Sequence, residues 1–136
     1  MFNATTKELL NGFLQDRSCL ILAYGVTGSG KTYTILGPEQ CVFASSVTCR
    51  NPGLVPRALQ YIITGMQSPE FRERHKENLD SISLELSLVE DYQDNAYDLL
   101  TPSTRIGQNK PALSVRSDAQ GFLHIKDLAV RSPWSE

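Results

Sequence analysis

Gly25-Val26-Thr27-Gly28-Ser29-Gly30-Lys31-Thr32 fits the pattern G-x-x-x-x-G-K-[ST], whose chemistry is phosphate binding. Its glycines let backbone N–H groups turn toward an anion at distances that a side chain would block. Lys31 would set an ammonium against the β- and γ-phosphates of a nucleoside triphosphate. The Thr32 hydroxyl would ligate Mg²⁺. The competing explanation is a glycine-rich surface turn, and it leaves the Lys-Thr pair and both flanking segments as coincidences.

Those flanks are what the loop needs. Cys19 to Tyr24 is a short apolar run, too short for a free-standing helix and suited to a buried parallel strand. Lys31 to Leu36 contains no Gly or Pro and can open a helix whose first amides face the phosphates. That helix should stop at Gly37-Pro38. Upstream, Asn3 to Leu14 reads as a helix with Leu9, Leu10, Phe13 and Leu14 on one face, and Thr5 with Glu8 could form a capping box.

Downstream, Pro38 to Pro52 reads as an inserted loop. Helix resumes around Pro56, which suits a first turn, with Val55, Leu59, Ile62, Ile63 and Met66 on one side. Glu70 to Asn78 is dense in charge of both signs, which describes a solvated helix end or loop. Ile82, Leu84, Leu86 and Leu88 alternate with Ser81, Ser83, Glu85 and Ser87, the two-residue period of a strand with unlike faces. Thr101 to Lys110 is loop-like. The segments 113–116 and 122–125 flank Asp118-Ala119-Gln120-Gly121 as a β-hairpin, in which His124 reads as a structural or surface residue.

The 136 residues allow one modest domain with a single core. A net charge of −2 gives no general electrostatic grip on nucleic acid. No apolar run approaches a membrane span and the N-terminus lacks the form of a signal peptide, so a cytoplasmic or nuclear location is the default expectation. Cys19, Cys41 and Cys49 are an odd count without C-x-x-C spacing, which predicts free thiols rather than a disulfide or a zinc site.

Four segments carry a resemblance to a known family. Residues 23–34, AYGVTGSGKTYT, closely resemble the A-Y-G-x-T-G-S-G-K-T-x-T signature of kinesin motor domains. Gly53-Leu54-Val55-Pro56-Arg57-Ala58 is similar to that family's G-[LIV]-[IV]-P-R-A. Residues 90–100, EDYQDNAYDLL, resemble E-I-Y-N-E-x-x-x-D-L-L at the end of a central strand, with Asp91, Gln93 and Asp94 as departures that mark a divergent member. Residues 113–128 are similar, more weakly, to the hairpin segment ending in Y-V-K-G-L. The Tyr24-Gly25-Val26-Thr27 form of the loop is faintly similar to the kinesin-6 branch.

The resemblance implies a P-loop NTPase-type α/β fold of three layers, a mostly parallel central sheet with helices on both faces, present incompletely within residues 1–136. It implies an ATP-dependent motor that moves on microtubules, located in the cytoplasm on the cytoskeleton, with no nucleic-acid partner and no membrane insertion. Gly25, Val26, Thr27, Gly28, Ser29, Gly30, Lys31 and Thr32 would cradle ATP, with Lys31 stabilising charge in catalysis and Thr32 holding Mg²⁺. Tyr33 matches the position that stacks on adenine, and Tyr24 is expected to pack under the loop. The family's R-x-R-P strand would precede Met1, and its two switch segments would follow Glu136. Hydrolysis by these residues alone is therefore not expected, because phosphoryl transfer needs several positioned parts at once. Two other readings stay open: a non-motor protein that binds nucleotide or acts as an interaction module, and an unrelated P-loop enzyme such as a small-molecule kinase.

Overall fold

Helix α3 (Leu54–Met66) organises the first half of the chain, because its apolar side gives three other helices something to pack on. The computed structural model describes residues 2, 6–38, 51–101 and 110–132. These divide into two compact units, residues 1–79 and 80–136.

In the first unit, α1 (Lys7–Phe13), α2 (Lys31–Leu36) and α4 (Pro69–Arg74) each contact α3. Leu10 is buried on α1, and the Leu14 side chain just beyond it lies against Gly65 of α3. Aromatic contacts reinforce the same face: the Phe2 and Tyr61 rings meet edge-on at 6.4 Å, Arg57 lies 4.2 Å over Phe2, and Tyr61 donates to Asn11 Oδ1. Helix α1 is capped by Thr6 without a side-chain bond; the expected capping-box residue Thr5, like Asn3, lies outside the described residues. Ser68 caps α4 by accepting from Phe71 N at 3.2 Å, with Pro69 in the first turn and Arg72 and Arg74 in the last. The charged side chains from Glu70 are thus solvated at a helix end, whereas Phe71 and His75 of the same stretch pack together at 4.3 Å with His75 buried.

Pro56 does sit in the first turn of α3, and the reason for the preceding Gly53 is spatial. A Cβ on Gly53 would fall 2.4 Å from Gly37 N, Ile35 O and Leu36 C, all backbone atoms. Gly37 ends α2 at φ 94° and Gly53 N donates to Leu36 O at 3.3 Å, so the end of α2 meets the start of α3. Most of the expected loop between them, and Cys41 and Cys49 with it, lies outside the described residues. Cys19 is a free, exposed thiol.

Residues 19–24 differ from expectation. They form no strand, and Leu20, Leu22 and Tyr24 are 81%, 79% and 96% exposed. An apolar run specifies an extended, buriable segment, but a strand exists only once neighbours take its N–H and C=O groups. Among the described residues none pairs with it. Tyr24 accordingly does not pack under the loop.

In the second unit the alternation holds from 81 to 87 but fails at Leu88, which is exposed, and the ladder lies elsewhere. Leu84 is buried, Ile82 and Leu86 are half-buried, and Ser81, Ser83, Glu85 and Ser87 are exposed. This segment makes one antiparallel bridge, Leu86 with Arg131, through bonds of 2.8 and 2.9 Å. Pairing starts later, where β1 (Val89–Tyr92) and β2 (Asn95–Asp98) form an antiparallel hairpin. Gln93 and Asp94 turn it at φ 51° and 61°, the two left-handed positions of a type I′ turn. The expected second hairpin is present as β3 (Val115–Ser117) and β4 (Leu123–Ile125), with Asp118 Oδ1 accepting from the amides of Gln120 and Phe122. His124 is an exposed residue of β4. Pairing among the described residues is antiparallel in both hairpins and at both bridges.

Candidate nucleotide-binding site

The loop from Gly25 to Thr32 is built by backbone geometry that its glycines permit. Gly28 and Gly30 have φ of 81° and 86°, where a Cβ is strained, although one at either position would meet no atom within 4 Å. The surroundings of the loop are therefore open, and the constraint is conformational. Ser29 N donates to Val26 O at 3.1 Å and closes a turn inside the loop. Gly30 then caps α2, and the first helical bond runs from Thr34 N to Gly30 O at 2.8 Å. The amides of Lys31, Thr32 and Tyr33 have no intrahelical acceptor in such a first turn and are free to bind an anion.

Lys31 reaches back over this loop. Its Nζ donates to Gly25 O at 2.7 Å and to Val26 O at 2.9 Å, which fixes the ammonium at the loop's own mouth. Two of its three donors are used, and the third is available to an anion. The Thr32 side chain is exposed beside it, and Tyr33, the next residue of α2, is 60% exposed. Val26 and Thr27 are exposed on the rim. Backbone amides, one ammonium and one hydroxyl form a donor set that fits a polyphosphate with a hard, oxygen-liganded cation.

One polar arrangement in the second unit was not foreseen as such. Asp98 closes β2, is buried, and accepts four bonds: from Leu100 N (2.8 Å) and Thr101 N (3.3 Å) at Oδ1, and from the Thr101 hydroxyl and Ala129 N (3.2 Å) at Oδ2. Its main-chain oxygen takes a further bond from Lys110 Nζ at 2.8 Å. The Thr101 hydroxyl, and then the amides of Leu100, Ala129 and Thr101, hold its carboxyl below the ordinary value of 3.8 against the opposing effect of burial. This makes Asp98 a structural anchor rather than a metal ligand. The signal for it was present as the Asp of Asp98-Leu99-Leu100, which local pattern reading does not explain.

The family model described as the kinesin motor domain matches residues 1–134. The chain belongs to the kinesin motor domain family. Similar proteins include Kinesin-like protein KIN-14I of Oryza sativa subsp. japonica, 35% identical over 92% of this chain and 8% of its own length. Kinesin-like protein KIF18B of Gallus gallus is 31% identical over 99% of this chain and 14% of its own. Chromosome-associated kinesin KIF4B of Homo sapiens is 29% identical over 97% and 10%. The chain thus spans about a tenth of the length of these relatives. Kinesin family membership carries a P-loop NTPase-like α/β fold.

Proposed function

We propose that Gly25 to Thr32 binds the phosphates of ATP with Mg²⁺, as the nucleotide-binding portion of a motor domain that hydrolyses ATP and moves along microtubules. The observation that carries this is the Lys31 ammonium, held across the loop mouth by Gly25 O and Val26 O beside the free amides of α2. In that position it offsets charge on the outer phosphates without having to be reorganised. Gly28 and Gly30 supply the backbone turn, and Ser29 stabilises it through Val26. Bound Mg²⁺ would neutralise phosphate oxygens, with Thr32 as its protein ligand. Tyr33, well exposed at the first turn of α2, is the residue we assign to the adenine face. Residues 19–24 would join a mostly parallel central sheet in the complete domain, which would work on the microtubule cytoskeleton. Neither nucleic-acid binding nor membrane insertion is part of this reading; no described helix is long and apolar enough to cross a membrane.

The test is nucleotide titration of the full-length protein with a fluorescent ATP analogue, followed by ATPase assay with and without microtubules. Lys31→Ala should weaken triphosphate binding by about 100-fold, the loss expected for charge-assisted bonds to phosphate. Unchanged affinity would overturn the assignment of the loop. Binding without microtubule-stimulated turnover would convert the reading to a non-motor nucleotide-binding protein.

A further inference from the structure

Three of the seven prolines follow a hydroxyl residue: Ser68-Pro69, Thr101-Pro102 and Ser132-Pro133. A Ser/Thr-Pro pair is the minimal acceptor for proline-directed protein kinases, and the proline biases the preceding residue toward the extended backbone that such enzymes bind. The consequence of adding a phosphate differs between the sites. At Ser68 the Oγ is already an acceptor, taking the Phe71 amide at the start of α4, and phosphate oxygens would continue in that role. At Thr101 the hydroxyl is a donor, aimed at the buried Asp98 carboxylate, on a residue that is itself exposed.

We propose that Thr101 is a phosphorylation switch, in which a proline-directed protein kinase converts the one hydroxyl donor of the Asp98 anchor into an anion and releases the segments the anchor ties together. Thr101 Oγ attacks the γ-phosphorus of the nucleoside triphosphate held by that kinase. The new O–P bond forms as the bond from phosphorus to the β,γ-bridging oxygen breaks; nucleoside diphosphate leaves, and the hydroxyl proton passes to a base of the kinase. The product places a charge of about −2 beside a buried carboxylate and removes the bond that joined them. Two like-charged groups within hydrogen-bond distance repel, and Asp98 must give up its geometry. The Leu100 and Ala129 amides, whose acceptor is this same carboxylate, lose their partner with it. Lys110, already seated on Asp98 O, is the cation at hand to follow the new phosphate. The inference is independent of nucleotide binding at Gly25 to Thr32, since it concerns residues of the second unit alone.

The experiment treats the full chain with a mitogen-activated protein kinase and ATP, maps phosphate by mass spectrometry, and follows amide hydrogen exchange. The expected result is phosphate on Thr101, with Leu100 and Ala129 exchanging about tenfold faster or more. Thr101→Glu should speed the same amides, whereas Thr101→Ser, which keeps the hydroxyl, should leave them slow and remain an acceptor. Absence of phosphate from Thr101, or phosphate there with unchanged exchange, overturns the proposal.

Discussion

A single methyl group shows how tightly the start of α3 is specified. Gly53→Ala would press its Cβ onto backbone atoms of residues 35–37, which cannot move as a side chain can. It should cost about 3 kcal/mol, the upper part of the range for overpacking, read as a fall in thermal or denaturant midpoint. Asp98 gives the pH counterpart. Its carboxyl is held below the ordinary carboxylate value, first by Thr101, so the folded state takes up that proton less readily than the unfolded chain. The stability it contributes is fully present above the ordinary value and is lost as pH falls through the lowered native one. Melting of the wild-type chain should therefore drop more steeply than that of Asp98→Asn, which lacks the titrating group, as pH falls below the ordinary carboxylate value. Parallel slopes would show that Asp98 does not contribute.

Among elements, the β1–β2 hairpin has an improvable turn. Gln93 and Asp94 both occupy positive φ, at which Gly is the unstrained choice and Asp is only tolerated. Asp94→Gly should stabilise the hairpin by about 0.5–1 kcal/mol, seen as a higher melting temperature, because the relieved left-handed strain exceeds the extra freedom of the unfolded chain. How far each element was legible follows from how local its determinants are. Helices α2 and α3 and the hairpin of β3 and β4 are set by caps, prolines, turn residues and short periods, and each appears close to where those residues place it. The β1–β2 hairpin was missed because Gln93-Asp94 is not a strong turn pair and the apolar alternation just before it drew the strand assignment to 82–88. That alternation did identify the buried side, at Leu84. It could not identify hydrogen-bond partners, because pairing is decided by residues distant in sequence. The glycine positions of the phosphate loop were legible as backbone geometry, since Gly28 and Gly30 take the positive φ that such a pattern calls for. What was not legible was the Lys31 tether to Gly25 O and Val26 O, or the convergence of Leu100, Thr101, Lys110 and Ala129 on Asp98.

At the scale of the molecule, exposed apolar surface is the dominant physical fact among the described residues. Leu20, Leu22 and Tyr24 stand almost fully in water, as do Phe122 and Leu123 at 71% and 75%. Large exposed apolar groups clustered along the chain promote association. The isolated chain should bind a hydrophobic dye and lose solubility with rising concentration. Leu22→Lys should raise its solubility limit without shifting the melting temperature by more than about 0.5 kcal/mol equivalent, as for other exposed substitutions. A large loss of stability in that variant would mean that Leu22 is packed in solution. The meeting of Gly37 and Gly53 has a consequence of a different kind. Because Gly37 and Gly53 touch, length added between them costs closure entropy only as its logarithm, about 0.6 kcal/mol per doubling. A reporter peptide spliced between these glycines should leave Lys31 and its tether unmoved, which makes this junction a natural port for labels that watch the nucleotide loop.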